Sequence, residues 1–168
     1  LDSKKENPKL LIERIDDVSI ETDSSFDVYQ TKLHIKSVAD LTDASPDLWK
    51  TLRVWCEGIA AGRLEPELTL FNLVTTATAA ADSICFELRD DTLDDRDVDE
   101  VRTSLLHVCK TSTNKKNKDG YKSFQALTIP QQKALIESIA IQDASVDIES
   151  AREDILIILK YSAEKTAA

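Results

Sequence analysis

Methionine is missing from this sequence, and other residue types that would define a function class are rare. The 168 residues contain no Met, three Gly, four Pro, three Cys and two His. So few glycines and prolines argue against linkers and low-complexity segments. Because Met is absent even at position 1, we expect residues 1–168 to form a single domain of a longer, multidomain protein.

Cysteine and histidine are too few and too scattered for a disulfide framework or a zinc site of the usual kind. Cys56, Cys85 and Cys109 form no C-x-x-C pair, and His34 and His107 lie far apart in the sequence. Three isolated cysteines are typical of buried thiols. Tetrahedral zinc sites need four clustered ligands, so we expect none here.

Long apolar runs are also absent, and positive charge is in deficit. No segment has the length that a membrane span needs, and the N-terminal residues LDSKKE contain no apolar signal region, so we predict a cytoplasmic protein with no membrane partner. The net charge of −10 counts against a broad basic face for nucleic acid. A carboxylate-rich site for divalent cations is itself acidic, however, and a local basic stripe is compatible with an acidic chain.

The hydrophobic periodicity predicts an α/β fold with a helical C-terminal half. Residues 10–20 and 26–35 are predicted strands of an antiparallel hairpin, and residues 68–76 form a third strand. Ser45-Pro46-Asp47 is a helix start, with a helix expected over 46–60 and Gly62 as its stop. Further helices are predicted at 80–88, 98–110, 121–127, 130–139 and 148–163, with a polar, lysine-rich loop at 111–120.

A candidate site lies on the predicted hairpin. Gln30 and Lys32 are two residues apart, so they project from the same face of a strand, and Asp17 belongs to the partner strand. Two oxygen ligands beside a lysine can hold Mg²⁺ or Mn²⁺ against a phosphate. Strand parity leaves Asp16 open as the alternative to Asp17. By spacing alone, the same pattern also fits an exposed strand with polar residues facing water.

A wider pattern accompanies this pair of strands. The segments are ERIDD at 13–17, QTK at 30–32 and LTDASPDLWKTLRVW at 41–55, followed by YKSFQAL at 121–127 and the strand-like AIQDAS at 140–145. Together they resemble the PD-(D/E)XK-type double-stranded DNA endonuclease domain of CBASS-like bacterial anti-phage defence effectors. The resemblance covers most of the chain, and the 41–55 block is its most distinctive part.

The resemblance implies a restriction-endonuclease-like small mixed sheet and metal-dependent hydrolysis of duplex DNA. By position, Asp17 is the metal-ligating aspartate, with Asp16 as the alternative; Gln30 is the second ligand and Lys32 the catalytic lysine. Glu13 is a further acid of the site or a structural partner. The implied cofactor is Mg²⁺ or Mn²⁺. The implied partners are double-stranded DNA and a fused or associated sensor domain, with homo-oligomerisation left open.

Four basic residues are candidates for DNA contact. Lys50 and Arg53 lie on the 46–60 helix, whose two tryptophans are better explained as core residues. Lys115 and Lys116 lie in the 111–120 loop, for which the simplest interpretation is a mobile surface loop.

Two alternatives to an active nuclease remain at this point. One is a degenerate nuclease-like module that serves as a scaffold or oligomerisation domain. The other is a helical interaction module, which a hairpin that failed to bring Gln30 and Lys32 near Asp17 would favour.

Overall fold

The computed structural model describes the backbone of residues 9–14, 17–21, 26–32 and 40–145, and the side chains of residues 27–30 and 40–145. The strands are β1 (Lys9–Arg14), β2 (Asp17–Glu21), β3 (Phe26–Lys32), β4 (Asp40–Leu41), β5 (Thr69–Thr75), β6 (Thr78–Ala79) and β7 (Ile139–Gln142). The α-helices are α1 (Pro46–Ala60), α2 (Ile84–Glu87), α3 (Val98–Thr111), α4 (Lys118–Ala126) and α5 (Ile129–Glu137). Short 3-10 turns occur at Asp90–Thr92 and Lys115–Asn117. The helix predicted at 148–163 lies outside the described residues.

Five strands form one mixed sheet in the order β1-β2-β3-β5-β7. β1, β2 and β3 are antiparallel neighbours, whereas β3, β5 and β7 run parallel to one another. β4 and β6 pair separately as a parallel two-stranded ladder. The α/β class, the antiparallel pair that ends in β3, and the third strand are therefore confirmed.

The prediction of one strand over residues 10–20 was wrong. The chain reverses between β1 and β2, so that Arg14 lies opposite Asp17. The charged run at 13–17 interrupts the apolar pattern, which is typical of a chain reversal rather than of a strand interior.

Helix α1 lies between β4 and β5 in the chain and packs on one face of the sheet. Its apolar residues recur at helical spacing and are buried, and the Trp55 ring packs 5.2 Å from that of Phe71 on β5. Each such side chain stabilises the fold by about 1.5–3 kcal/mol when fully buried. The helix ends before Gly62, whose φ of 67° is easily adopted only by glycine.

The second half is mostly helical, as predicted, but two boundaries differ. The helix predicted at 80–88 is reduced to α2, because the Ala80 N–H donates to the Leu41 carbonyl and Ser83 caps the helix by accepting from the Phe86 N–H. Residues 111–120 are not a simple loop, since they contain the 3-10 turn and the beginning of α4. The helix predicted at 130–139 ends at Glu137, and the strand-like residues after it form β7 at the edge of the sheet.

Arg96 joins the segment before α3 to α5 and β7. Its guanidinium donates to four backbone carbonyls, those of Glu87, Arg89, Ile136 and Ile139, at 2.7–2.9 Å. Burial lowers the pKa of Arg96 to about 10, which leaves it cationic at neutral pH. No helix among the described residues is long and apolar enough to cross a membrane.

Candidate functional site

The strand register brings two of the predicted site positions together. Asp17, the first residue of β2, is paired directly with Gln30 on β3. Paired positions in an antiparallel ladder lie on the same face of the sheet. Glu13 lies at an irregularity in the β1–β2 pairing, between Ile12 and Arg14, while Asp16 lies outside the described residues.

Of the predicted site residues on β1–β3, Gln30 is the one whose side chain the structure describes. It is buried, with 3% of its surface exposed. It shares a sheet face with Val28, which packs against the hydrophobic core, and it is aligned with the buried Leu73 on β5. A neutral amide can be buried at lower cost than a carboxylate, which would need a cation beside it.

Lys32 is the last residue of β3, and its backbone is aligned with Thr75, the last residue of β5. Both strands therefore end side by side, and we call this carboxyl end of β3 and β5 the margin of the sheet. Thr75 is fully buried, and its hydroxyl accepts a hydrogen bond from the Ala77 N–H at 3.1 Å. The Thr75 carbonyl accepts from the Ser145 N–H, also at 3.1 Å, so the chain after β7 reaches this margin too.

Two aspartates beside this margin have structural partners. Asp143 accepts the Ala79 N–H at 2.8 Å through Oδ2, and its Oδ1 lies 3.3 Å from the Arg89 Nε. Asp43 accepts the Ile84 N–H at 2.6 Å through Oδ1. These contacts fix the loops that follow β4 and β6, which is the role we assign to both carboxylates.

Where side chains are described, no group of three or more His, Cys, Asp or Glu residues is close enough to hold a metal ion. The carboxylates of Glu13, Asp16 and Asp17 lie outside the described side chains, so the predicted metal ligands remain a prediction. The described cysteines are poor nucleophiles. Burial raises the pKa of the Cys109 thiol to about 11, and it raises the pKa values of the Cys56 and Cys85 thiols further.

The opposite face of β3 carries Asp27 and Tyr29. Burial raises the pKa of the Asp27 carboxyl. Burial, followed by the charge of Asp27, raises the pKa of the Tyr29 hydroxyl. Strand alternation separates these residues from Gln30, so neither belongs to the predicted site.

The basic residues predicted to contact DNA are accessible to different degrees. Lys50, Lys115 and Lys116 are exposed. Arg53 is partly exposed and lies 3.8 Å from Glu57 one helical turn away. The tryptophans of the same helix are fully buried, as their interpretation as core residues predicted.

Sequence reasoning missed the residues that hold the lysine-bearing turn in place. Asn114 and Asn117 both donate through Nδ2 to the Ala44 carbonyl, at 3.1 and 2.8 Å. The signal available in the sequence was the pair of asparagines that brackets Lys115 and Lys116, since asparagine side chains often bond to backbone in turns.

No protein-family model, curated protein or solved structure matches this chain.

Proposed function

We propose that this chain is a metal-dependent endonuclease domain with a restriction-endonuclease-like fold, which hydrolyses phosphodiester bonds of duplex DNA in anti-phage defence. The observation that carries the proposal is the strand register. Asp17 is paired with Gln30, and Lys32 follows two residues later at the end of β3. An acid, an amide and a lysine thus occupy neighbouring backbone positions on one sheet face.

The chemistry of this set of donors fits a hard divalent cation. A carboxylate oxygen of Asp17 and the amide oxygen of Gln30 would hold Mg²⁺ or Mn²⁺, with Asp16 or Glu13 as a further acidic ligand. When bound, the ion would supply Lewis-acid stabilisation of charge on the phosphate. The Lys32 ammonium would orient the attacking water and stabilise the negative charge that develops on the phosphate oxygens.

The order of elements also supports the proposal. An antiparallel unit, β1 to β3, continues through α1 into β5, which is parallel to β3. A small mixed sheet with a helix across one face is compatible with the restriction-endonuclease-like fold that we propose.

Burial of Gln30 favours a second candidate function, a degenerate nuclease-like scaffold or oligomerisation module. An amide that is 3% exposed on the core side of the sheet is also consistent with a purely structural residue. The two functions differ in what they require of Lys32, because only the nuclease needs its ammonium for chemistry.

Plasmid digestion therefore tests the proposed function. Purified parent chain is incubated with supercoiled DNA in Mg²⁺, Mn²⁺ or EDTA, beside Lys32→Ala and Lys32→Arg. We expect Lys32→Ala to reduce the cleavage rate by about a hundredfold or more, the usual cost of losing such an electrostatic contact. Lys32→Arg should not restore the full rate, because a planar fork does not replace a compact ammonium.

The matched control is Lys133→Ala, which removes a partly exposed lysine that is paired with Asp99 on another part of the molecule. Circular dichroism and urea unfolding check that each variant is folded. If folded Lys32→Ala cuts DNA as fast as the parent in the same metal, the nuclease assignment is wrong and the scaffold function replaces it.

A further inference from the structure

A short lysine-rich segment stands out against the acidic chain. Residues 110–122 contain five lysines and one aspartate, whereas the whole chain has a net charge of −10. Lys115, Lys116 and Lys118 fall within four residues and are exposed. We call residues 114–118 the lysine segment.

Buried and partly buried polar side chains hold the backbone of the lysine segment in place. Asn117 is 2% exposed, and its Nδ2 donates to the Ala44 carbonyl and to the Tyr121 hydroxyl, at 2.8 and 3.1 Å. The Tyr121 hydroxyl donates in turn to Ser112 Oγ at 2.7 Å. Asn114 adds a second bond to the Ala44 carbonyl. Neutral hydrogen bonds therefore fix the backbone while the ammonium groups stay exposed.

The anchor point lies at the same end of the sheet as Lys32. Ala44 follows β4, which pairs with β6, and β6 begins three residues after Thr75, the residue aligned with Lys32. Helix α1 starts at Pro46 and runs back across the sheet towards the amino end of β5. The lysine segment is thus held beside the carboxyl ends of β3 and β5, where the proposed active site lies.

Unlike Lys133 and Arg89, these three lysines have no acidic partner among the side chains that the structure describes. Lys133 lies 2.8 Å from Asp99, and Arg89 lies 2.9 Å from Asp91. Among the side chains that the structure describes, no carboxylate lies within ion-pair distance of Lys115, Lys116 or Lys118. Their charges are therefore available to an external anion.

We propose that the lysine segment is a pre-positioned contact surface for the phosphodiester backbone of duplex DNA. The choice of duplex DNA as the polyanion rests on the proposed function. Lysines that contact phosphates supply affinity without sequence preference, because each contact releases condensed counterions. A segment fixed before binding loses little conformational freedom when it contacts the backbone.

The test is fluorescence anisotropy with a labelled DNA duplex in EDTA, where a metal-dependent enzyme cannot cleave. Lys115→Ala/Lys116→Ala is compared with Arg63→Ala/Lys133→Ala, which changes the net charge by the same amount. Arg63 is exposed just beyond the far end of α1, roughly 22 Å along a helix of 15 residues. Salt titrations between about 50 and 200 mM give the slope of log K against log salt.

We expect the lysine-segment variant to bind about tenfold more weakly at low salt, with a slope that is smaller by about two. The control should stay within about twofold of the parent, because charges beyond a Debye length are largely screened. Equal binding by the two variants, or no binding by the parent, would overturn the inference. Cleavage by the parent and by Lys32→Ala is measured separately, so failure of the proposed function is recognised independently of this result.

Discussion

Helix α4 approaches α1 so closely at Gly120 that replacing this glycine should destabilise the protein. A Cβ atom added at Gly120 would lie 2.5 Å from the carbonyl oxygen of Trp49 and 3.2 Å from its carbonyl carbon. Alanine is favoured over glycine inside a helix by about 1 kcal/mol. Overpacking typically costs about 1–3 kcal/mol, and a backbone carbonyl inside α1 cannot rotate away as a side chain can.

We therefore expect Gly120→Ala to lower the free energy of unfolding by up to about 2 kcal/mol, because the steric cost against a backbone carbonyl exceeds the helix-propensity gain. The retreat of α4 would also loosen the edge contact between the Trp49 and Tyr121 rings, whose centroids are 4.5 Å apart. Urea unfolding followed by tryptophan fluorescence measures the change, since both tryptophans are buried.

The control is Gly58→Ala in α1. A Cβ there would also meet an atom at 2.5 Å, but this atom is Cδ1 of the Leu64 side chain, which can rotate. We expect that variant to be close to the parent in stability. A Gly120→Ala protein at least as stable as the parent would refute the close approach of the two helices.

Two further predictions concern groups outside the proposed site. Arg96→Lys should lower the free energy of unfolding, measured by urea titration, by about 2–3 kcal/mol. A lysine cannot reach all four carbonyls to which the Arg96 guanidinium donates, and buried carbonyls left without donors are costly. An unchanged unfolding midpoint would contradict this role of Arg96. Burial raises the pKa of the Asp27 carboxyl above its ordinary 3.8, so the folded state binds the carboxyl proton more tightly than the unfolded state does. The contribution of Asp27 to the free energy of unfolding should therefore fall as the pH rises from 3.8 through the raised pKa. Asp27→Asn should remove that decline, which urea unfolding midpoints of the parent and the variant between about pH 3 and 7 would measure. Parallel midpoint curves for the parent and Asp27→Asn would show that burial of Asp27 does not affect the pH dependence of stability.

The sequence was sufficient to predict α1, because local and tertiary signals agree there. Ser45-Pro46-Asp47 marks its start, and the apolar spacing matches the face that packs on β5. The Ser45 hydroxyl, although serine is a preferred residue at this position, makes no capping bond to the first turn of α1. The Ser45 hydroxyl instead accepts the Thr42 N–H at 2.8 Å, which holds the turn between β4 and α1. A hydroxyl in that position has several backbone donors within reach, and only the fold selects among them.

Strand registers could not be predicted, because a slip of one residue moves every side chain to the other face. The sequence favoured Asp17 as the partner of Gln30 but left Asp16 open as the alternative, because strand parity could not be fixed. The backbone pairs Asp17 with Gln30, while the roles of Asp17 and Lys32 remain predictions. A different error merged β1 and β2 into one predicted strand, because the charged run at 13–17 was not recognised as a chain reversal.

Long-range hydrogen bonds account for the other differences. The helix predicted at 80–88 was shortened because Ala80 bonds to Leu41, a residue about forty positions earlier. The lysine segment was predicted as a mobile loop because its composition is polar, yet Asn117 bonds to Ala44 more than seventy positions earlier. Such contacts have no local signature, so only the three-dimensional structure reveals them.

Net charge alone does not indicate where an anion could bind, because the acidic residues of this chain are unevenly distributed along the sequence. Seven of them fall between residues 90 and 100. That run starts beyond β7, where Arg89 bridges to Ile141 at the sheet edge. Three strand spacings separate this edge from β3, roughly 14 Å, whereas the Debye length at physiological salt is about 8 Å. A phosphate beside the end of β3 would therefore be largely screened from this acidic run, so an overall charge of −10 does not by itself argue against the contact with DNA that we propose.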